Sequence, residues 1–312
     1  MIFIIGFSRF LLKNLYFCRE FLRNLPFLKN MANFTTLIFM KLIIDSGSTK
    51  SDLLWISKEK HFSEQTSGIN PFLQDSEEIA RLLSQLPLHK EETSEIFFYG
   101  AGCTPSKKFV VEYALQTLFP DSLVNVESDL LGAARSLFGK EKGIACILGT
   151  GSNSCEYDGS KIIKNVSPLG YILGDEGSGA VIGKHFVGDL LKGICPEQIT
   201  IRFFEEEMLS SEEIMERIYK KTFPNRFLAQ LTKHIFRHKD EEYFQSLLCE
   251  NFDRFFQRNI RQYTPSLPIR CIGSVAFYFQ EELKRSATRN GFEISRICQS
   301  PMEGLAEHHK NW

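Results

Sequence analysis

Two glycine-rich turns, about a hundred residues apart, constrain this chain more than any other feature of its sequence. The first turn, residues 47–49, follows a short apolar run at 42–44 and Asp45. The second turn, residues 149–151, ends the apolar run 144–148 in the same way. Small residues let a ligand approach the backbone, and the N–H groups of such turns point into one concavity. Two turns of this kind that face each other would hold a polyphosphate from both sides.

A simpler interpretation exists for each turn taken alone. A glycine and a hydroxyl residue between two strands are what an ordinary β-hairpin contains. The repetition of one layout in two places favours a shared function. Neither turn is a P-loop, because no Gly-Lys-Ser/Thr sequence ends a long loop.

The composition indicates a globular protein with length for two domains. The chain has 312 residues, of which 43% are hydrophobic and 24% are charged, and its formal net charge is -1. Because no basic field surrounds the protein, we expect no nucleic-acid partner. The eight cysteines are scattered without a Cys-x-x-Cys pair. We therefore expect reduced thiols, a cytoplasmic location, and neither a zinc site nor a disulfide framework.

The segment 1–39 differs from the rest of the chain. Basic residues and aromatics alternate there, against the single acid Glu20. The apolar run 2–5 is too short to span a bilayer, and no clear signal peptide is present. We expect an extension outside the fold or an over-long start, and no membrane partner. An interfacial amphipathic helix stays an alternative.

The order of elements predicts an α/β fold in two related halves, 40–140 and 141–312. Strands at 41–56 and 95–102 alternate with helices at 76–86, capped by Ser76, and at 106–119. The segment 61–75 is predicted to be a polar loop, and 200–262 to be rich in helices. A helix at 275–289 and a final helix at 301–308 follow, the last a candidate for packing on the first half.

Five motifs together resemble one protein family. They are residues 45–50, 128–134, 149–153, 170–179 and 273–276. With them, the chain resembles N-acetylglucosamine kinases and the BadF/BadG/BcrA/BcrD-type ATPases, a branch of the sugar kinase, Hsp70 and actin superfamily. The resemblance covers nearly everything from Met40 onwards. It implies two RNase H-like domains with ATP in the cleft between them.

The resemblance also implies roles for individual residues. Asp129 matches the catalytic aspartate, and Asp45 matches the acid that holds magnesium, usually through water. The positions that match ATP-binding residues are Gly47, Ser48, Thr49, Lys50, Gly149, Thr150, Gly151, Ser152, Gly273 and Ser274. The positions that match substrate-binding residues are Asn70, Asp129, Gly170, Asp175 and Glu176. Ahead of Gly170 this chain has Pro168-Leu169, where the kinases carry Gly-Trp.

Structural roles are the alternatives for these residues. Asp129 and Asp175 would serve as helix caps, and Asn70 as a turn residue. Glu176 would favour a helix N-terminus electrostatically. His234 and His238 share one helix face, which we expect to be solvated and without a role.

The resulting prediction is an ATP- and Mg²⁺-dependent kinase of an amino sugar, with the 6-hydroxyl of N-acetylglucosamine as the best candidate acceptor. Asp129 would orient and deprotonate that hydroxyl. One alternative is an ATPase that drives electron transfer through a cluster bridged by cysteines. Another is a sugar or nucleotide sensor without catalysis. The oligomeric state stays open, with a homodimer as one candidate because these kinases are often dimers.

Overall fold

The computed structural model describes residues 40–310. The N-terminal extension expected at 1–39 lies outside the described residues. Within residues 40–310, no helix is both long and apolar enough to cross a membrane.

The first sheet has five strands in the order β3-β2-β1-β4-β5. Its strands are β1 (Met40–Ser46), β2 (Lys50–Ile56), β3 (His61–Ser67), β4 (Thr93–Gly100) and β5 (Leu123–Ser128). The first three form an antiparallel meander, whereas β4 and β5 run parallel to β1. Helices α1 (Ser76–Ser84) and α2 (Lys108–Leu118) connect them. The carboxyl ends of β1, β4 and β5 therefore meet at one edge of this sheet.

The second sheet repeats this topology, with strand order β10-β9-β6-β7-β8. Its strands are β6 (Gly143–Leu148), β7 (Ser152–Tyr157), β8 (Ile162–Val166), β9 (Ile269–Ile272) and β10 (Ile294–Cys298). Again three strands form an antiparallel meander and two run parallel to its first strand. The predicted α/β class with two related halves is confirmed.

The second half carries most of the helices. Between its sheet strands lie α4 (Gly170–Leu173), α5 (Gly179–Leu191), α6 (Glu197–Glu207), α7 (Ser211–Tyr219), α8 (Pro224–Gln230), α9 (Thr232–Arg237), α10 (Glu242–Arg258), a 3-10 turn (Ile260–Gln262), α11 (Ser274–Tyr278) and α12 (Gln280–Arg289). The predicted helix-rich stretch at 200–262 is confirmed. Its phenylalanines, such as Phe203, Phe244 and Phe252, fill one continuous core with the second sheet. That burial is the main stabilisation available to these short helices.

Helix α3 (Asp129–Phe138) lies between the two sheets. Its residues Leu130, Ala134 and Leu137 share a core cluster with Ala145 of β6 and Ile272 of β9. Gly132 allows α3 to approach β4, because a Cβ there would lie 2.7 Å from the Tyr99 ring. One helix therefore links the first sheet to the second through continuous packing. The division of the chain into domains at 140/141 stays a prediction.

The last helix, α13 (Met302–His308), returns to the first sheet. Leu305 is fully buried in a cluster with Ile43 of β1 and Tyr99 of β4. The ring of His309 stacks on Phe97 with 3.8 Å between centroids. Its Nε2 lies 2.8 Å from the Tyr99 hydroxyl. Helix α13 and His309 are thereby attached to β1 and β4 of the first sheet.

Three local predictions are wrong. The polar segment predicted as a loop contains β3, an edge strand that pairs with β2 through its backbone and therefore needs no apolar alternation. Asp75, not Ser76, caps α1, and it forms a capping box with Glu78. The helix expected at 275–289 is two helices, α11 and α12, which meet at Phe279.

The contact of α13 with α3 predicts a destabilising substitution. A Cβ at Gly304 would lie 2.3 Å from the carbonyl oxygen of Ser136, so Gly304→Ala must separate the two helices. We expect this overpacking to lower the free energy of unfolding by about 1–3 kcal/mol. Urea denaturation measures it, with Glu303→Ala, at an exposed neighbouring position, as the control. Equal stability of the two variants would contradict the tight contact.

Candidate active site

The first turn is held at the end of β1 by backbone and hydroxyl contacts. The N–H of Gly47 donates to the carbonyl of Lys50 at 3.0 Å, which closes the turn. Ser46 is buried, and its hydroxyl accepts from the N–H of Ile69 at 2.9 Å. Gly68 comes so close that a Cβ there would lie 2.4 Å from the Gly47 carbonyl. The segment after β3 thus supports the turn from behind.

The second turn supports the start of helix α5. Gly149 donates its N–H to the carbonyl of Gly151 at 2.9 Å. The carbonyls of Gly149 and Thr150 accept from the N–H groups of Gly179 and Ala180, at 2.8 and 3.1 Å. Two N–H groups of the first turn of α5 are satisfied in this way, and the turn is fixed to a long buried helix.

The first turn, at the end of β1, and the second turn, at the end of β6, face each other. The Thr49 and Thr150 hydroxyl oxygens lie 3.3 Å apart. Lys50, next to the first turn, is exposed and pairs with Asp52 at 3.0 Å. The structure therefore brings together the two turns that the sequence predicts to act as a pair.

A third glycine turn lies at the end of β9, at the same edge of the second sheet as the second turn. Gly273 follows β9 with a φ of 118°, a conformation that glycine adopts at little cost. A Cβ there would lie 2.4 Å from the carbonyl of Leu148, the last residue of β6. Ser274 begins α11 and is exposed. The pair Gly273-Ser274 consequently lies beside the second turn.

Two carboxylates lie at the edge of the first sheet where the carboxyl ends of β1, β4 and β5 meet. Asp45 is near the end of β1, and Asp129 follows β5 as the first residue of α3. Ser128, rather than Asp129, caps α3 by accepting from the N–H of Leu131. One oxygen of Asp129 accepts from the N–H of Leu130 at 2.9 Å, which fixes the carboxylate orientation. The alternative role of Asp129 as the helix cap is therefore wrong.

Burial raises the pKa of both acids. It raises the pKa of Asp129 to about 6. The pKa of Asp45 is raised to about 7, first by burial and then by repulsion from Asp129 and Asp52. Lys50 lowers it, but by less. Acids whose pKa values approach neutrality in a cleft are candidates for catalysis or cation binding.

Asp175 ties the second turn to the loop around α4. Its backbone has a φ of 53°. Its carboxylate accepts hydrogen bonds from the N–H groups of Ser152 and Gly170. One of its oxygens lies 3.0 Å from where a Cβ of Gly151 would be. Burial, and next the charge of Glu176, raise the Asp175 pKa to about 6. Asp175 precedes the cap of α5, which is Ser178.

Glu176 is held by the helical part of the second half. Its Oε1 lies 2.6 Å from Arg258 Nε, and Oε2 accepts from Asn259 Nδ2 at 3.3 Å. Both carboxylate oxygens thus have partners on the end of α10. The neighbouring loop is fixed by Lys184, which donates to the Tyr171 carbonyl at 2.6 Å.

Asn70 lies in the connection between β3 and α1. Its Oδ1 accepts from the N–H of Phe72 at 2.9 Å, so it forms the turn expected of an Asn before Pro71. Gly102 packs on the same side chain, since a Cβ there would lie 2.4 Å from Asn70 Oδ1. Asn70 directly follows Ile69, whose N–H donates to Ser46 just ahead of the first turn. The side chain of Asn70 stabilises the conformation of this loop.

Sequence reasoning missed several supporting residues. Asp52 faces Asp45 in the register of β1 and β2, a pairing that a hairpin alignment could have revealed. Arg258, Asn259 and Lys184 contact the 170–176 loop from distant positions. No local signal marks them, because their roles arise from helix packing.

The fold resembles those of solved structures. The chain is 48% identical to the "Putative N-acetylglucosamine Kinase" of Porphyromonas gingivalis, with a TM-score of 0.84, over 87% of this chain and 99% of that chain. A protein of the same description from Chromobacterium violaceum is 18% identical, with a TM-score of 0.67, over 87% and 99%. A ROK family glucokinase from Streptomyces griseus, in complex with glucose and AMPPNP, is 12% identical, with a TM-score of 0.53, over 87% and 98%.

The last two similarities show the fold alone. No protein-family model and no curated protein matches the sequence. The predicted family resemblance is confirmed by the Porphyromonas gingivalis relative. The chain therefore belongs to the N-acetylglucosamine kinase-like sugar kinases of the actin-like ATPase superfamily.

Proposed function

We propose that the protein transfers the γ-phosphate of ATP to the 6-hydroxyl of N-acetylglucosamine. The observation that carries the proposal is the placement of Asp45 and Asp129 at one sheet edge, next to two glycine turns whose threonines touch. Phosphoryl transfer depends mainly on positioning and on neutralising charge at the phosphate. Backbone N–H groups of the turns at Gly47 and Gly149 are suited to bind the phosphates.

Asp129 is the proposed general base. Its carboxylate is oriented by the Leu130 N–H and lies at a helix start, directed from the end of β5. With a pKa of about 6 it is ionised at neutral pH and still basic enough to take a proton from the acceptor hydroxyl. The substrate hydroxyl would donate a hydrogen bond to it before transfer.

The acids around Asp45 fit a magnesium ion. Burial, and then the charges of Asp129 and Asp52, raise the pKa of Asp45. Hard oxygen donors with unbalanced negative charge are what Mg²⁺ prefers, and it keeps several of its waters. Asp45 would hold the ion, usually through water, as the family resemblance implies. When bound, the ion supplies neutralisation of charge on the transferring phosphate.

The amino-sugar acceptor is proposed from the 170–176 loop and from the family. Asp175 lies beside Gly151 of the second turn and directly precedes Glu176. The carboxylate of Asp175 offers acceptors suited to sugar hydroxyls. Because the hydrogen bonds of Asp175 already reach Ser152 and Gly170, sugar contacts there would be sensitive to nucleotide at the turn. Asn70 would contribute to sugar binding by stabilising the loop between β3 and α1.

The electron-transfer alternative receives no support from the described cysteines. A cluster bridged between subunits needs thiols at an exposed surface. Of the seven cysteines in residues 40–310, five are buried and two are half-buried. Burial also raises the pKa of Cys103 and Cys155 to about 12, which keeps them as thiols.

Replacement of the proposed base tests the function. We expect Asp129→Asn to lower kcat by about 10²–10⁴-fold, because the amide cannot accept the proton, while the fold persists. A coupled ADP assay over N-acetylglucosamine, N-acetylmannosamine, glucose and glucosamine measures this and the acceptor preference. Asp121→Asn, an exposed acid ahead of β5, is the matched control. ADP release that ignores the sugar, or full activity of Asp129→Asn, would contradict the proposal.

The pKa of Asp129 predicts the pH dependence of catalysis. The base acts when ionised, so activity is lost as the pH falls through about 6, by up to tenfold for each unit below it. We expect kcat/KM for the sugar to rise between about pH 5 and 7 and then to level. Initial rates at saturating Mg²⁺ measure the profile. A profile flat down to pH 5 would show that ionisation of Asp129 does not limit the reaction.

Asp45→Asn tests the cation site through stability. The folded-state pKa of Asp45 is about 7, above its ordinary value of 3.8, so its contribution is lost as pH rises through about 7. At pH 8, without metal, Asp45→Asn should be more stable by about 1–4 kcal/mol, since no charge is then buried. Thermal melting measures the gain.

Magnesium should raise the melting temperature of the native protein at pH 8 and have little effect on Asp45→Asn. The same Mg²⁺ stabilisation in both proteins would argue against Asp45 as the site. The variant also separates stability from catalysis, because it should be more stable and less active.

A further inference from the structure

A second group of potential metal ligands lies away from the two turns. We call it the α6–α9 cluster, and it consists of Glu206, His234 and His238. Glu206 is near the end of α6, His234 is in α9, and His238 directly follows that helix. Their ligand atoms all lie within 4.8 Å of one another. The expectation that both histidines share a solvated face is wrong for His234, which is 1% exposed.

His234 is held by aromatic rings and has one polar side. Phe203, Phe186 and Phe244 surround it, with ring centroids at 5.0, 6.0 and 6.1 Å. Its Nε2 is buried without a hydrogen-bond partner. Its Nδ1 lies 3.2 Å from Glu206 Oε2. An imidazole buried in an apolar core is costly, and this one directs its only partnered nitrogen at the cluster.

We propose that the α6–α9 cluster binds a divalent transition metal ion such as Zn²⁺. Two imidazoles and a carboxylate are a donor set that suits zinc. Zinc bonds of about 2.0–2.1 Å in a tetrahedron place neighbouring ligand atoms about 3.3 Å apart. The separations here are 3.2 Å from Glu206 Oε2 to His234 Nδ1 and 3.1 Å from the same oxygen to His238 Nε2.

A fourth donor is within reach. Glu207 Oε1 lies 3.3 Å from His234 Nδ1. The site is built on rigid elements. His234 packs against buried phenylalanines of the second half, and Glu206 lies near the end of α6, which packs into the same core through Phe203. A bound ion would join α6 to α9 and stabilise the helical part of the second half.

Arg237 supplies the positive charge beside the carboxylates of Glu206 and Glu207. Its guanidinium NH2 lies 3.2 Å from Glu206 and 2.5 Å from Glu207, and 3.4 Å from His234 Nδ1. The side chain is 49% exposed, so it can turn into solvent. Arg237 and a metal ion are thus alternative counter-charges for the same two carboxylates. Removal of the arginine should strengthen metal binding, whereas removal of a histidine should weaken it.

These opposite effects define the experiment. Zn²⁺ is titrated by calorimetry into the full chain with excess Mg²⁺, and melting temperatures are recorded in parallel. We expect one ion per chain and a rise in melting temperature. His238→Gln should weaken binding by at least about tenfold, and Arg237→Met should tighten it. His61→Gln, at an exposed position in β3, is the control and should change neither quantity.

The second readout is independent of zinc affinity. Co²⁺ bound to nitrogen and oxygen ligands should give a visible absorption that His238→Gln loses. Sugar kinase activity should be the same in His238→Gln and the native protein, because the cluster is not part of the proposed catalytic site. Glu206→Gln replaces His238→Gln if the latter does not fold. Zinc binding that is insensitive to these substitutions, or weakened by Arg237→Met, would overturn the proposal.

Discussion

Burial of two carboxylates at the carboxyl edge of the first sheet is the constraint on which the rest of the site depends. Parallel pairing of β1, β4 and β5 brings Asp45 and Asp129 to the same edge, and the antiparallel partner β2 adds Asp52. Partial burial makes this charge costly, as the raised pKa values of Asp45 and Asp129 record. A cation would offset the cost of this buried charge, and so the same feature that destabilises the metal-free protein would favour the proposed magnesium ion.

Helix α3, which begins at the charged edge, is held by packing on both sheets. Helix α3 starts at Asp129 and reaches the second sheet through Leu130 and Ala134. Gly132 lets it lie directly on Tyr99, and Arg135 from the same helix donates to the Tyr99 hydroxyl at 2.9 Å. Tyr99 in turn contacts His309, beyond the last helix. The position of the proposed base therefore depends on contacts that extend to the end of the chain.

The sequence predicted the parts of the site that depend on local chemistry. The turns at Gly47 and Gly149 have glycines and apolar strands beside them, and Asp129 follows a strand and begins a helix. Residues whose function depends on distant packing were not predicted. Arg258 reaches Glu176 only because α10 packs beside the 170–176 loop, and no periodicity reveals that pair. His234 was misread because Phe186, Phe203 and Phe244 of other helices pack around it, which no periodicity in α9 reveals. Strand β3 was missed because it is an exposed, mostly polar edge strand and lacks the apolar alternation of a half-buried strand.

Asp175 connects the second turn, residues 149–151, to the 170–176 loop. Its carboxylate accepts from the N–H of Ser152 in β7 and from the N–H of Gly170 in the loop proposed for the sugar. A phosphate that shifts the second turn would therefore change the hydrogen bonds that hold the loop. A Cβ at Gly151 would lie 3.0 Å from an oxygen of this carboxylate, so the turn and the Asp175 side chain are in close contact. In a kinase, closure around both substrates excludes water and limits ATP hydrolysis. The bridge at Asp175 is a physical route by which binding at one side could favour order at the other.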